Sequence, residues 1–280
     1  MNPLANTSWF IDPKNPASRS EIPELSVIAN QPYTYWYVDQ YKRQRIKNRV
    51  SRLISRHEDH TPIIVLYNIP NRDLGNHSKG GARNGKEYLE FVSEFAAGIG
   101  NKKPIVILEP DALASCQNMK VPSRMARIKT IRDAIGILTE NTNALVYVDI
   151  GNPEYIVDPS AAGKILSDVG AERTCGFSLN VSNYYSTELC EEYGRKVAAA
   201  FDSLHFIIDT GRNGNGNINK EEWCNAMGRK IGQFPTLNTN DPLCDAYLWI
   251  KPPAESDGPC NGGPKAGVFW NEYALGLCRG

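Results

Sequence analysis

Absences narrow the reading first. The 280 residues hold only four histidines, no glycine-rich phosphate cradle and no zincin spacing, which leaves little room for cofactor chemistry; neither a cofactor nor a metal is expected. Neither sign of charge is in excess. Thirty-one basic residues balance thirty-one acidic ones, so no overall field draws nucleic acid or an anionic membrane, and an uncharged partner and a monomeric chain are expected. No apolar run approaches the length of a bilayer span, so a soluble protein is expected. No repeat, low-complexity tract or Gly/Ser linker divides the chain, and a single domain over residues 1–280 is expected. An apolar signal region is missing after "MNPL", which leaves an intracellular protein or an exported one whose signal peptide lies outside these residues. Seven cysteines and Asn-x-Ser patterns at Asn6, Asn76 and Asn180 favour the extracellular reading.

Two metal-like patterns fail on inspection. His57 and His60 in "HEDH" read as solvated surface. "DTGRNGNGNINKEE", from Asp209, imitates a calcium loop, but Gly211 falls at its third position and Lys220 at its twelfth, where a bidentate Glu is required.

What the chain does have is an alternation. Seven β-branched or aromatic runs, at 33–38, 63–69, 105–109, 145–149, 176–180, 204–209 and 246–251, are mostly separated by stretches with helical apolar spacing at 40–56, 86–99, 123–139, 160–169 and 187–201. Runs apolar throughout belong to parallel strands covered on both faces. The pattern therefore predicts an α/β fold, a parallel barrel in preference to a doubly wound sheet.

Parallel α/β folds place their sites at the C-terminal ends of the strands. Here those ends lead to Arg72 and Asp73, to Glu109 and Asp111, to Asp149, Asn180 and Asp209, and to Lys251, Glu255 and Asp257. Asp149 and Asp209 are equally well read as turn formers. Asp73 and Asp111 lie 38 residues apart, about one strand–helix–strand unit, so they should meet on neighbouring strand ends. Like charges held close keep one carboxyl protonated near neutrality, a general acid for an uncharged polymer such as a glycan. Sugar faces stack on aromatic rings: Trp36 and Trp223 stay open between platform and core, and Trp249 and Trp270 read as core.

"VLYNIPNRDLGNHSKGGA" (65–82), "VILEPDALA" (106–114), "LNVSNY" (179–184), "DTGRNGNG" (209–216), "EEWC" (221–224) and "LWIKPPAESDG" (248–258) together resemble glycoside hydrolase family 6, the inverting cellulases, over roughly residues 30–275. The resemblance implies a distorted barrel of seven parallel strands with its cleft at the C-terminal strand ends. It implies Asp111 as general acid, Asp73 as the aspartate that tunes it and organises water, and Asp257 as a remote base. It further implies substrate contacts at Trp36, Tyr67, Arg72, Asn183, Trp223, Lys251 and Glu255, with Tyr155 on the leaving-group side where relatives often carry Trp. A disulfide between Cys224 and Cys260 is also implied. Pro110 would stiffen the turn that aims Asp111, and Glu109 would support it.

The chain also departs from the family. Leu74 stands where R-D-C would place a cysteine, and Lys79 stands where a water-positioning Ser is expected, with Ser78 before it. Only 23 residues follow Asp257, which favours an open cleft and an endoglucanase cutting internal β-1,4 bonds over a cellobiohydrolase with a roofed tunnel. A catalytically silent glucan-binding barrel is the alternative from another class.

Overall fold

A computed structural model describes residues 1–38, 45–75, 79–216 and 222–280. The seven apolar runs become β1 (Thr34–Val38), β2 (Ile63–Tyr67), β3 (Ile105–Leu108), β4 (Leu145–Asp149), β5 (Gly176–Leu179), β6 (His205–Asp209) and β7 (Cys244–Leu248). Each pairs in parallel with the next, in the unbroken order β1 to β7. A doubly wound sheet would reverse direction partway across; this one curls steadily into an incomplete barrel.

Alternating side chains sort into two layers. Ile63, Val65, Ile105, Ile107, Tyr147, Ile207, Ala246 and Leu248 fill the inside of the curl. Ile64, Leu66, Val106, Leu108, Val146, Val148 and Phe206 face the helices outside. Leu4 plugs the interior cluster, and Asn2 anchors that N-terminal segment by donating to the Asp245 carbonyl (2.7 Å).

The seam between β1 and β7 carries no ladder. Among the described residues side chains span it: Thr34 Oγ1 donates to the Trp249 carbonyl (2.8 Å), Trp36 Nε1 to the Ile250 carbonyl (2.9 Å), and the Tyr33 hydroxyl to Glu255.

The helices are α1 (Ser26–Ala29), α2 (Ile46–His57), α3 (Gly85–Ile99), α4 (Val121–Asn141), α5 (Pro159–Val169), α6 (Thr187–Ala198) and α7 (Asn271–Arg279). Asn84, Asp158 and Ser186 cap three of them by accepting a backbone N–H of the first turn, which accounts for their sharp starts. The crossover from β6 to β7 holds no α-helix among the described residues. The first part of the helix expected over 40–56 lies outside the described residues. His57 corrects an expectation: it is buried, its Nδ1 donates to the Leu53 carbonyl (2.8 Å), and it sits edge-on to Phe10 and Tyr35. His60 lies beyond the end of α2 and stays exposed.

Candidate active site

Two loops at the C-terminal strand ends carry the first cluster of carboxylates. The loop after β2 turns back on itself: Arg72 N donates to the Gly80 carbonyl (3.1 Å) and Ala82 N to the Asn68 carbonyl (2.9 Å). A Cβ on Gly81 would stand 1.9 Å from the Ile69 carbonyl oxygen, so only glycine closes this neck. Glu109 holds the loop from the next strand by accepting the N–H groups of Asn68 (2.9 and 3.1 Å) and Ile69 (3.0 Å). Glu109 thus braces the loop after β2, where the sequence reading had it supporting the turn of Asp111.

Backbone strain gathers in these loops. Asn71, Asp73, Leu74, Glu109 and Asp111 all have φ between 47° and 61°, five of the ten non-glycine residues with positive φ among the described residues. Such conformations cost about 1–3 kcal/mol each and persist only where the surroundings enforce them.

Asp111 follows the end of β3, within the field of Asp73. Burial first, and then the charge of Asp73, push its pKa up to about 7. Beneath it lies Asp149, which accepts from Asp111 N (2.7 Å), Gly151 N (2.9 Å) and Ser178 Oγ (2.8 Å). Burial and the neighbouring carboxyl push both acids upward, so the pair retains a proton near neutrality. Three donors favour ionised Asp149, and among the described residues nothing comparable serves the Asp111 side chain. The proton therefore resides on Asp111.

Aromatic and cationic groups surround this pair. Arg72 donates to the Tyr67 carbonyl (2.7 Å) and places its guanidinium 4.5 Å from the Tyr67 ring centre. Tyr67 meets Trp36 edge to face at 5.3 Å, which joins the β2 rim to β1. Tyr155 lies within the field of Asp111 and Asp73, and burial pushes its hydroxyl up to about 12.

A second cluster sits across the seam. Asp257 accepts from Arg212 Nη1 (2.8 Å) and Asn225 N (2.9 Å), with Lys251 Nζ at 3.7 Å. Burial pushes the Asp257 carboxyl up, but Arg212 and Lys251 outweigh it and hold it below the ordinary carboxylate range. Lys251 also reaches the Ser256 carbonyl (3.2 Å) and lies 5.8 Å from the Trp36 ring centre. Glu255 accepts from the Tyr33 hydroxyl and is pushed upward by burial. Trp223 is 37% exposed, two residues from Asn225, while Trp249 is buried in the core and Trp270 stacks on Tyr273. Asn183 Nδ2 donates to the Val181 carbonyl (3.2 Å), and its neighbour Ser182 gives its N–H to Asp209 (3.1 Å) and its carbonyl to Arg212.

Asp209 behaves as the turn-forming reading predicted. It binds the N–H groups of Gly211 (3.0 Å), Ser182 (3.1 Å) and Lys251 (2.9 Å), tying three strand ends together. Asp149 does the same and touches Asp111 as well, a role that the sequence did not single out. Arg212 was also missed, although it lies in a quoted motif. Cys224 and Cys260 form a disulfide, and the other five cysteines are unpaired. Lys79 is exposed, and its carbonyl lies 3.5 Å from Arg72 Nη2; Ser78 and Asn76 fall outside the described residues.

A curled seven-stranded parallel sheet with carboxylates and aromatic rings gathered on its C-terminal rim defines an open α/β barrel with a candidate site at the strand ends. The chain belongs to the glycosyl hydrolases family 6, whose family model matches residues 10–280. It is 37% identical to endoglucanase A of Cellulomonas fimi, over 99% of this chain and 62% of that protein. Endoglucanase A of Thermobispora bispora is 36% identical, over 99% of this chain and 61% of its own. The chain thus spans about three fifths of the length of these curated relatives. Among solved structures, the endoglucanase Cel6 of Mycobacterium tuberculosis, in complex with methyl-cellobiosyl-4-deoxy-4-thio-β-D-cellobioside, superposes with a TM-score of 0.94 at 37% identity, covering 99% of this chain and 98% of that one.

Proposed function

We propose that the protein is an inverting endoglucanase that hydrolyses internal β-1,4-glucosidic bonds of cellulose or a related β-glucan, with residues 1–280 acting as one catalytic domain. The observation that carries this reading is Asp111, a carboxyl kept protonated to about pH 7 on the rim beside Asp73. Asp111 gives its proton to the glycosidic oxygen as the C1–O bond breaks, and water attacks the opposite face of the sugar in the same step. Asp73 organises that water. Asp257 is a weak base because Arg212 and Lys251 stabilise its charge; its part is to fix those cations beside the sugar, with Glu255 as a neighbouring acceptor. Trp36, Tyr67 and Trp223 supply ring faces, and Arg72, Asn183 and Tyr155 supply further contacts. No cofactor takes part.

Internal cleavage is supported by the segment after Asp257. Its hydrogen bonds return to nearby chain: Ser256 N to the Val268 carbonyl (3.0 Å), Gly267 N to the Ser256 carbonyl (2.9 Å), and Asn261 Nδ2 to the Cys224 carbonyl (2.9 Å). A loop pinned in this way to its own base does not serve as a tunnel roof.

The family, the relatives named endoglucanase and the disulfide also support an extracellular enzyme acting on neutral glucan, which in this reading works as a monomer. No helix among the described residues is long and apolar enough to cross a membrane.

Viscosity and reducing ends, followed together on carboxymethylcellulose, test the reading. A steep viscosity fall per new end is expected. Slow viscosity loss with steady cellobiose release from insoluble cellulose would mark a chain-end enzyme, and no release from any β-glucan would leave a binding protein.

The acid pair sets a pH dependence. kcat/KM should fall above about pH 7, as Asp111 loses its proton. Asp149→Asn removes the like charge beneath it, so Asp111 ionises more readily and the basic limb of the profile should move to lower pH. A profile unchanged from wild type would show that Asp149 does not influence the acid.

A further inference from the structure

Arg127, in the second turn of α4, is an unusual residue to bury. It is 5% exposed and has no carboxylate partner among the described residues. A guanidinium withdrawn from water without a counter-charge is costly unless its donors are used. Here, among the described residues, they are used on the two strained loops. Nη2 donates to the carbonyls of Pro70 (2.9 Å) and Asn71 (2.8 Å), just before Asp73. Nη1 donates to Ser115 Oγ (2.7 Å) and lies 3.5 Å from the Ala112 carbonyl, just after Asp111. One planar group on a rigid helix thus grips the loop of each acid from behind, where a planar fork of fixed geometry transmits a definite distance.

We propose that Arg127 is a positioning residue for the reaction, setting the placement of Asp73 relative to Asp111 by holding both loops to α4. It touches neither substrate nor water, and it acts through the backbone of residues 70–71 and 112–115. The inference rests on the β-glucanase reading above. Its logic is that the loops around Asp73 and Asp111 hold left-handed φ values and so need an external restraint. Asp149 is fixed independently by Gly151 and Ser178, so loss of Arg127 should move Asp73 against Asp111 and leave the Asp149 contact in place.

The test compares wild type with Arg127→Met, Arg127→Lys and Ser115→Ala on cellopentaose, measuring kcat, KM, the pH profile and the thermal midpoint. A misplacement of about 1 Å costs up to about 100-fold in rate. Arg127→Met should lose about 30- to 100-fold in kcat with KM within about threefold. Its basic limb should move to lower pH as Asp73 drifts from Asp111. Arg127→Lys should recover part of the loss, since an ammonium engages one loop better than both. Ser115→Ala, which removes a single contact and keeps the arginine, should cost less than Arg127→Met. If Arg127→Met does not fold, Ser115→Ala and Arg127→Lys decide by the same kcat and pH criteria. Folded variants with wild-type kcat and pH profile overturn the proposal. So does a loss of kcat that matches the unfolded fraction at the assay temperature. Wild type inactive on every β-glucan overturns the hydrolase reading itself, a result distinct from either of these.

Discussion

Asp111→Asn is expected to turn over cellopentaose about 10²- to 10⁴-fold more slowly than wild type, the range that general acid catalysis supplies, with KM changed by no more than a few-fold. That is about 3–5 kcal/mol on the barrier. The cause lies in the leaving group: a sugar alkoxide is a poor one, and Asp111 is a rim carboxyl whose pKa burial and Asp73 push up to about 7. A cellobioside with a dinitrophenolate leaving group needs little protonation, so the same variant should lose much less activity on it. The variant should also melt at or slightly above the wild-type temperature, because the amide removes a carboxyl that is unfavourable to ionise in this buried place. Equal losses on both substrates would mean that Asp111 acts in some way other than as the acid.

Asp257→Ala should damage the protein twice over. Arg212 is 1% exposed, and without Asp257 it keeps the Ser182 carbonyl, the Tyr184 ring, 4.5 Å from its guanidinium carbon, and the neighbouring Tyr273 hydroxyl, none of which carries a negative charge. Removing one half of a buried ion pair costs about 3–5 kcal/mol, so Tm should fall by roughly 5–10 °C. Activity should fall as well, since Lys251 loses the charge that fixes it below Trp36. The double variant Arg212→Met with Asp257→Leu separates the two effects. It should regain most of the stability and none of the activity; recovery of both would remove Asp257 from the reaction. A pH series adds a check. Asp257 titrates lower in the fold than in the unfolded chain, so its stabilisation is present above the unfolded value and is lost as pH falls through the folded one. Acid should therefore destabilise wild type more than the double variant.

The seven strands were legible because six are buried almost throughout and read as short apolar runs, while β1, partly exposed, reads as an aromatic one. The β6–β7 crossover has no such periodicity and gave no signal. The rim acids were legible for two reasons: parallel strands point their C-terminal ends at one place, and "NRD", "EPD" and "ESDG" match a family. His57 was misread because "HEDH" looks polar in one dimension. Its ring turns inward at the last turn of α2, where Phe10 and Tyr35 cover it. Asp149 was weighed as a turn former, which it is, and its contact with Asp111 exists only because β3 and β4 lie side by side. Arg127 left no trace at all. In "SRMARIKTIRD" one arginine among several on a helix reads as solvated, and only the packing of α4 behind both acid loops shows otherwise.

The open seam has a mechanical consequence. In a closed barrel, strand number, tilt and shear determine one another, and the diameter follows from them. Here the ring is interrupted between β1 and β7, so no such condition applies, and the sheet is an arc free to take more than one radius. Among the described residues its span is held by side chains, chiefly the hydrogen bonds from Thr34 to Trp249 and from Trp36 to Ile250, with Tyr33 and Glu255 beside them. Trp36 belongs at once to the groove wall and to the clasp, so a glucan pressing on that ring would also load the joint that sets the groove's width.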